Sequence, residues 1–400
     1  MGRGDVAGAE QLLGRAMALL PADDPRAISA LPSLEQALFR GGRLEEALRY
    51  LEEAIVRATN AGADAIVARL AIHRALIRTH IGPEVSMRES LMETELLMTP
   101  LEAAGDELSL AEGWSNVGVL RFWLGDGAGS LEALERARAH ADRAGSDPLI
   151  RQISSELLGP FVWGPVPSHE VERRAGELIA EMRTKGNDPI ELNGALAFAL
   201  AVQGETDRAD ERFQHFWTLA RELGERLILA ACHPYLEATL LQGRYAETER
   251  VASQGTAELR EMGETGYLAT SLMYLATAIV SLGRPDEAET VLQQAEALAA
   301  DDDVVTQIGT RRVRAAILHA QGHLADAERY AREAIVFGEL TDYLLEKASS
   351  HRVLAEILLA KGARDEGLTH LRAALDLFER KGALVVLDGL GARIAEVEAR

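Results

Sequence analysis

"WSNVGVLRFWLGDGAGSLEALERA", residues 114–137, decides how the rest of this 400-residue chain reads. Apolar residues recur at helical spacing up to Leu124, a Gly-Asp-Gly turn follows, and the spacing resumes at Leu131. Gly125 supplies the left-handed backbone that ends the first helix. Ser130 and Ala137, five and twelve residues further on, are small enough to let the second helix lie close to its neighbours. The stretch is one helix-turn-helix unit.

The same phrase runs along the whole chain. Turn glycines fall at Gly4, Gly42, Gly125, Gly204, Gly243, Gly283, Gly322 and Gly362, each followed by a second helix. The two gaps hold Gly82 and Gly164, giving ten units of about 40 residues, which is the signature of a solenoid. Twelve residues beyond the glycines stand Ala16, Ala54, Thr94, Ala137, Gly176, Phe216, Gly255, Ala295, Ala334 and Ala374. Ala and Gly fill eight of those ten places but a quarter of the chain, so the column is a packing requirement. Asp24, Asp147 and Asp188, each before a proline, are expected to cap first helices.

Composition agrees. The chain has 65 alanines and only 5% aromatics, which suits closely packed helices more than a β-sandwich. The expected fold is all-α, a single solenoid over residues 1–400. A net charge of −21 disfavours direct binding to nucleic acid or to an anionic membrane. No run approaches 18 apolar residues, and the N-terminus lacks the apolar core of a secretory signal. One cysteine, Cys232, can form no internal disulfide, and the expected setting is cytoplasmic.

The unit at 114–137 resembles the tetratricopeptide repeat, with Trp114, Val117, Gly118, Gly125, Ser130 and Ala137 in register. That resemblance implies a right-handed superhelix whose first helices line a concave groove. The phrases "GPVPSHEVERRAGELI", "GETGYLATSLMYLATAIVSLGRPDEAE" and "ALDLFERKGA" are further similar to one bacterial signalling family. In it, a cyclase-like domain and a STAND-type AAA ATPase precede a long repeat arm, and the similarity covers that arm alone. No P-loop and no cyclase catalytic segment occurs.

"GPFVWGPVPSHE", residues 159–170, is expected to be an irregular joint inside the solenoid. Pro160 should end or kink the preceding helix, and "GPVPS" should lengthen the turn by two, moving the small position from His169 to Val171. A capping helix is expected over about 383–398. The chain starts in a second helix with no polar cap, which is expected of a piece cut from a longer parent.

Catalytic patterns are absent. "GDGAGS" at 125–130 lacks the lysine and the preceding strand of a phosphate loop and reads as a repeat turn. "HEVER" at His169 lacks a second histidine, and His319 with His323 straddle a turn without further ligands. Asp301 to Asp303 read as a solvated loop, and "VASQG" around Ser253 lacks a nucleophile elbow. No catalytic residue, cofactor or metal ligand is assigned.

The surface remains. In the repeat's register the groove-facing positions name Arg69, His80, Phe122, Trp123, His233, Glu237, Arg312, His319, Arg352 and Glu356. His233, Met273, Arg312 and Arg352 occupy one column in four successive units, and Arg312 has no acid within a helical turn. A strip of this kind would take an acidic peptide or an anionic effector, with pairing to Glu356 as the competing explanation. The expected function is a non-enzymatic scaffold binding a protein, a peptide or a small effector, as the sensor arm of a signalling ATPase or cyclase-type regulator. A free-standing adaptor is the alternative. An all-helical enzyme would need convergent carboxylates, which the sequence does not present.

Overall fold

The computed structural model describes residues 6–21, 24–81 and 85–399. The expected turns at Gly4 and Gly82 lie outside the described residues. Twenty-two α-helices and a short 3-10 turn follow one another, and no strand occurs among the described residues.

The first helices run α1 (Val6–Leu19), α2 (Pro25–Arg40), α3 (Leu44–Asn60), α4 (Asp64–Ile81), α5 (Met87–Ala104), α6 (Glu107–Trp123) and α7 (Gly127–Arg143). Next come α8 (Asp147–Glu156), α9 (Leu158–Val162), α10 (Ser168–Thr184), α11 (Ile190–Val202), α12 (Thr206–Leu223), α13 (Arg226–Ala231) and α14 (His233–Leu241). The chain closes with α15 (Tyr245–Met262), α16 (Gly266–Ser281), α17 (Pro285–Leu298), α18 (Val304–Ala320), α19 (Leu324–Gly338), α20 (Leu344–Ala360), α21 (Arg364–Lys381) and α22 (Leu387–Ala399). Neighbours in sequence pack against each other throughout, as a helix-turn-helix solenoid requires.

The turn at Gly125 shows why glycine recurs. Its φ is +88°, its N–H donates to Phe122 O, and the N–H of Asp126 donates to Arg121 O, both at 2.9 Å. These two bonds satisfy carbonyls that the helix end leaves open. A second series with positive φ, among them Gly62, Gly145 and Gly224, closes the second helices, a regularity the sequence reading passed over. In the small-residue column Ala54, Ala137, Ala295, Ala334 and Ala374 are buried to 1% exposure or less, whereas Ala16 is exposed. Of the three expected caps only Asp24 accepts an N–H of its helix, from Arg26 at 2.8 Å. Asp147 is the first residue of α8 and pairs with Lys185, and Asp188 accepts from Asn193.

At the irregular joint α8 stops at Glu156, four residues before Pro160. That is the residue whose carbonyl a proline ring displaces, and the chain re-enters helix as α9. Ser168 opens α10 four residues after Gly164, where Gly127 opens α7 two after Gly125, so the turn is longer by two residues. His169 is exposed, and Val171, the fourth residue of α10 as Ser130 is of α7, is fully buried at the small position. Lys381 explains the joint's shape. Its buried ammonium donates to the carbonyls of Phe161, Gly164 and Val166 at 2.9, 2.8 and 2.9 Å, and Ser168 Oγ donates to Lys381 O.

Contacts of this kind recur between distant parts of the chain. Asp342 accepts the N–H groups of Gly127 and Ala128, opening α7 from 215 and 214 residues away. Asp302 does the same for α5 through Ser86 Oγ and the Arg88 N–H. The Thr265 N–H donates to His80 O at 2.8 Å, and Tyr343 donates to Phe122 O. After roughly five repeats the solenoid therefore returns onto itself, and loops of its later units cap second helices of its earlier ones. Asp302 and Asp303 are accordingly not a solvated loop: Asp303 is buried and caps α18 through the Thr306 N–H. The anion-accepting end of α7 after "GDG" is occupied by a carboxylate of the chain itself.

Candidate functional site

Because the superhelix closes, its concave face becomes a chamber of about 230 Å³. Nearly all of its wall comes from first helices: α2, α4, α6, α8, α9, α11, α13, α14, α16 and α18. Met87 and Phe216 are the contributions of second helices.

One side of the chamber is aromatic. His80 sits at its hub, with the rings of Phe39, Trp123 and Tyr267 edge-on at 5.0, 4.9 and 5.0 Å. Four helices from two superhelical turns supply that cluster. His80 Nδ1 is fixed by Glu264 at 3.0 Å, a buried carboxylate that also accepts the N–H groups of Tyr267 and Leu268. Phe122 and Trp163 continue the wall, with centroids 5.8 Å apart.

The other side is acidic. Arg40 donates through Nε to Glu225 at 2.9 Å and through Nη2 to Glu191 at 2.7 Å. Glu156 also lines the chamber and has neither a hydrogen bond nor an ion pair with a described residue. Burial pushes its carboxyl up to about 7, against the pull of Arg40. Burial does the same to Glu225, again to about 7. Gln36, Arg40, Gln152, Ser155, Glu191 and Glu225 also border a second hollow, so the acidic side lies between the chamber and that outer space.

A kink shapes the wall between α13 and α14. Cys232 has φ +30°, the one positive value outside glycine among the described residues, and Pro234 follows it. A Cβ at Gly255 would run into the Ala230 carbonyl, so a glycine opposite is what lets the bent helix approach. Strain held in this way at a cavity wall is a common mark of a functional site. Burial pushes the Cys232 thiol up to about 12, which leaves it protonated and a poor nucleophile.

The residues named from the sequence fall into four groups, with Arg352 taken up below. His80, Phe122, Trp123 and His233 line the chamber. Arg69 pairs with Glu112 at 2.5 Å beside the outer hollow. Glu237 and Arg312 are buried in a polar network beside the chamber: Trp163 Nε1 donates to Tyr274 OH, which donates to Glu237 at 2.7 Å. His319 and Glu356 border neither hollow, and Glu356 pairs with Arg393 at 2.7 Å.

The basic strip is thereby corrected. Arg312 is buried and paired with Glu346 of the next first helix, not with Glu356. Met273 is fully buried. Desolvation holds the His233 imidazole down at about 4, so it is neutral, and its Nε2 meets Ser271 Oγ at 2.8 Å. Ser271 is itself fully buried, which removes it as a nucleophile. Arg352 lies over the Phe378 ring. No exposed cationic column results.

Arg40, Phe39 and Glu191 were missed although they stand 2, 3 and 13 residues before turn glycines, in the same register that named His80 and Trp123. Glu156, Glu225 and Tyr267 lie outside that register, and no sequence signal marks them. Among the described residues no group of three or more His, Cys, Asp or Glu could hold a metal ion, and no helix is long and apolar enough to cross a membrane.

No family model matches the chain, and no curated protein does. Among solved structures it is similar to the APC/C hetero-tetramer Cut9–Hcn1, with a TM-score of 0.50 and 13% identity over 91% of this chain and 76% of that one. It is also similar to the human IFIT1 dimer with PPP-AAAA and with m7Gppp-AAAA, at TM-scores of 0.49 and 0.47. Both pairings are 14% identical and span 99% of this chain and 95% of theirs. The likeness to Cut9–Hcn1 is one of fold: an all-helical, tetratricopeptide-like repeat solenoid.

Proposed function

We propose that this protein is a non-enzymatic binding scaffold whose closed superhelix holds a small effector, and that it serves as the sensor arm of a signalling ATPase or cyclase-type regulator. The observation that carries the reading is the chamber: an aromatic wall built from two superhelical turns, facing an unpaired carboxylate. A ligand touching α2, α4, α6 and α16 together would tie the two turns to each other. Binding and the relative position of the turns would then be linked, as regulation requires. The signalling assignment rests on the resemblance of the repeat phrases, and the absence of catalysis on the inert thiol and the enclosed Ser271–His233 pair.

The test is a thermal-shift screen of metabolites against the wild type and Val119→Trp, which fills the chamber from α6. A true effector at a hundred times its dissociation constant stabilises the folded state by about 2.7 kcal/mol. It should raise the midpoint of the wild type alone. Equal responses of the two proteins to every compound would place binding elsewhere and overturn the reading.

A further inference from the structure

The chamber's two sides have different chemistry, and together they specify a ligand. We propose that the chamber binds an organic cation, an ammonium carried on an aryl or branched alkyl body, with the charged head at Glu156 and the body against Phe39, Trp123 and Tyr267. The proposal rests on the effector-binding reading and narrows it to one chemical class.

Charge balance is the first argument. Glu156, Glu191 and Glu225 border the chamber with one guanidinium, Arg40, which donates to Glu191 and Glu225. Glu156 feels the Arg40 charge but makes no hydrogen bond or ion pair with a described residue. Glu156 is half-buried and its charged form is disfavoured there, and a ligand cation beside it would favour that form and complete the set. An anion would add to the surplus and is excluded on the same ground.

Ring chemistry is the second, and it is independent. Phe39, Trp123 and Tyr267 give the chamber wall an aromatic cluster, against which the aryl or branched alkyl body of the ligand would pack. Tyr267 belongs to both sides: its ring packs on His80, and its hydroxyl is held protonated by burial and by the nearby Glu156 charge. It has no hydrogen-bond partner for that hydroxyl among the described residues. The chain's charge of −21 draws cations toward the protein.

Three probes of one shape test the class by calorimetry: phenyltrimethylammonium, its neutral isostere tert-butylbenzene, and benzenesulfonate. The ammonium is expected to bind the wild type at least tenfold more tightly than the hydrocarbon, with the sulfonate not bound. Glu156→Gln should weaken the ammonium tenfold or more and leave the hydrocarbon unchanged, and Trp123→Leu should weaken both. The wild-type comparison decides the matter even if a variant fails to fold. If the hydrocarbon or the sulfonate equals the ammonium, the cation class is overturned while the effector chamber stands. If no probe binds the wild type at millimolar concentration, both fall.

Discussion

Lys381 Nζ donates to the carbonyl oxygen of Gly164 at 2.8 Å, joining residues 217 apart in the chain. With Phe161 and Val166 supplying two more acceptors, the three ammonium hydrogens have three backbone partners. Burial pulls the Lys381 amine down to about 7 while the carbonyls hold its proton in place. Lys381→Met keeps the volume and leaves those carbonyls without a donor. A loss of about 3 kcal/mol is expected, read as a lower urea midpoint. An unchanged midpoint would mean the joint is held by packing alone.

Arg312→Glu is expected to unfold or severely destabilise the protein rather than remove a binding surface. The new acid would face Glu346 and lie near Glu237 inside a buried network. Breaking a buried pair costs about 3–5 kcal/mol. Circular dichroism of the variant at increasing temperature decides it, and a fully stable Arg312→Glu protein would restore the exposed-strip reading.

The buried carboxyl of Glu237 gives a pH signature. Burial, with Glu346 adding to it, raises its pKa from an ordinary 4.5 to about 7, so the folded chain holds a proton that the unfolded chain has released. Its contribution is therefore most favourable below about 4.5 and is lost as pH rises through 7. Glu237→Gln removes that dependence. The stability difference between variant and wild type should grow by a few kcal/mol between about pH 5 and pH 8. A constant difference would mean Glu237 is charged throughout.

Overpacking tests the close helix contacts. Ala295 and Ala334 have no exposed surface, and a Cβ at Gly255 meets the Ala230 carbonyl. Ala295→Trp, Ala334→Trp and Gly255→Ala should each cost about 1–3 kcal/mol or more. Calorimetric midpoints measured on the three proteins would falsify the packing register if none of them fell.

What could be read in advance was the part governed by local chemistry. Gly125 needs its left-handed backbone and Ala137 its small volume whatever lies elsewhere, so the repeat shows in the sequence. Closure of the superhelix does not, because small rotations must add up over more than five repeats before Asp342 reaches α7. Lys381 illustrates the gap. In "FERKGA" it reads as a solvent-facing lysine favouring a helix C-terminus, yet it is fully buried. Arg312 illustrates it again, since its true partner stands 34 residues on, one repeat away.

The return of the solenoid onto itself also sets an order of events during synthesis. The helix ends that Asp302, Asp342 and Lys381 will cap leave the ribosome some 214–217 residues before those side chains exist. At about 5–20 residues per second the nascent half would wait roughly 10–45 s with its inner face open. An ordinary solenoid finishes each repeat as its neighbour emerges. This one can seal only when its last third arrives, so a ligand present during translation could be enclosed as the chain closes rather than admitted afterwards.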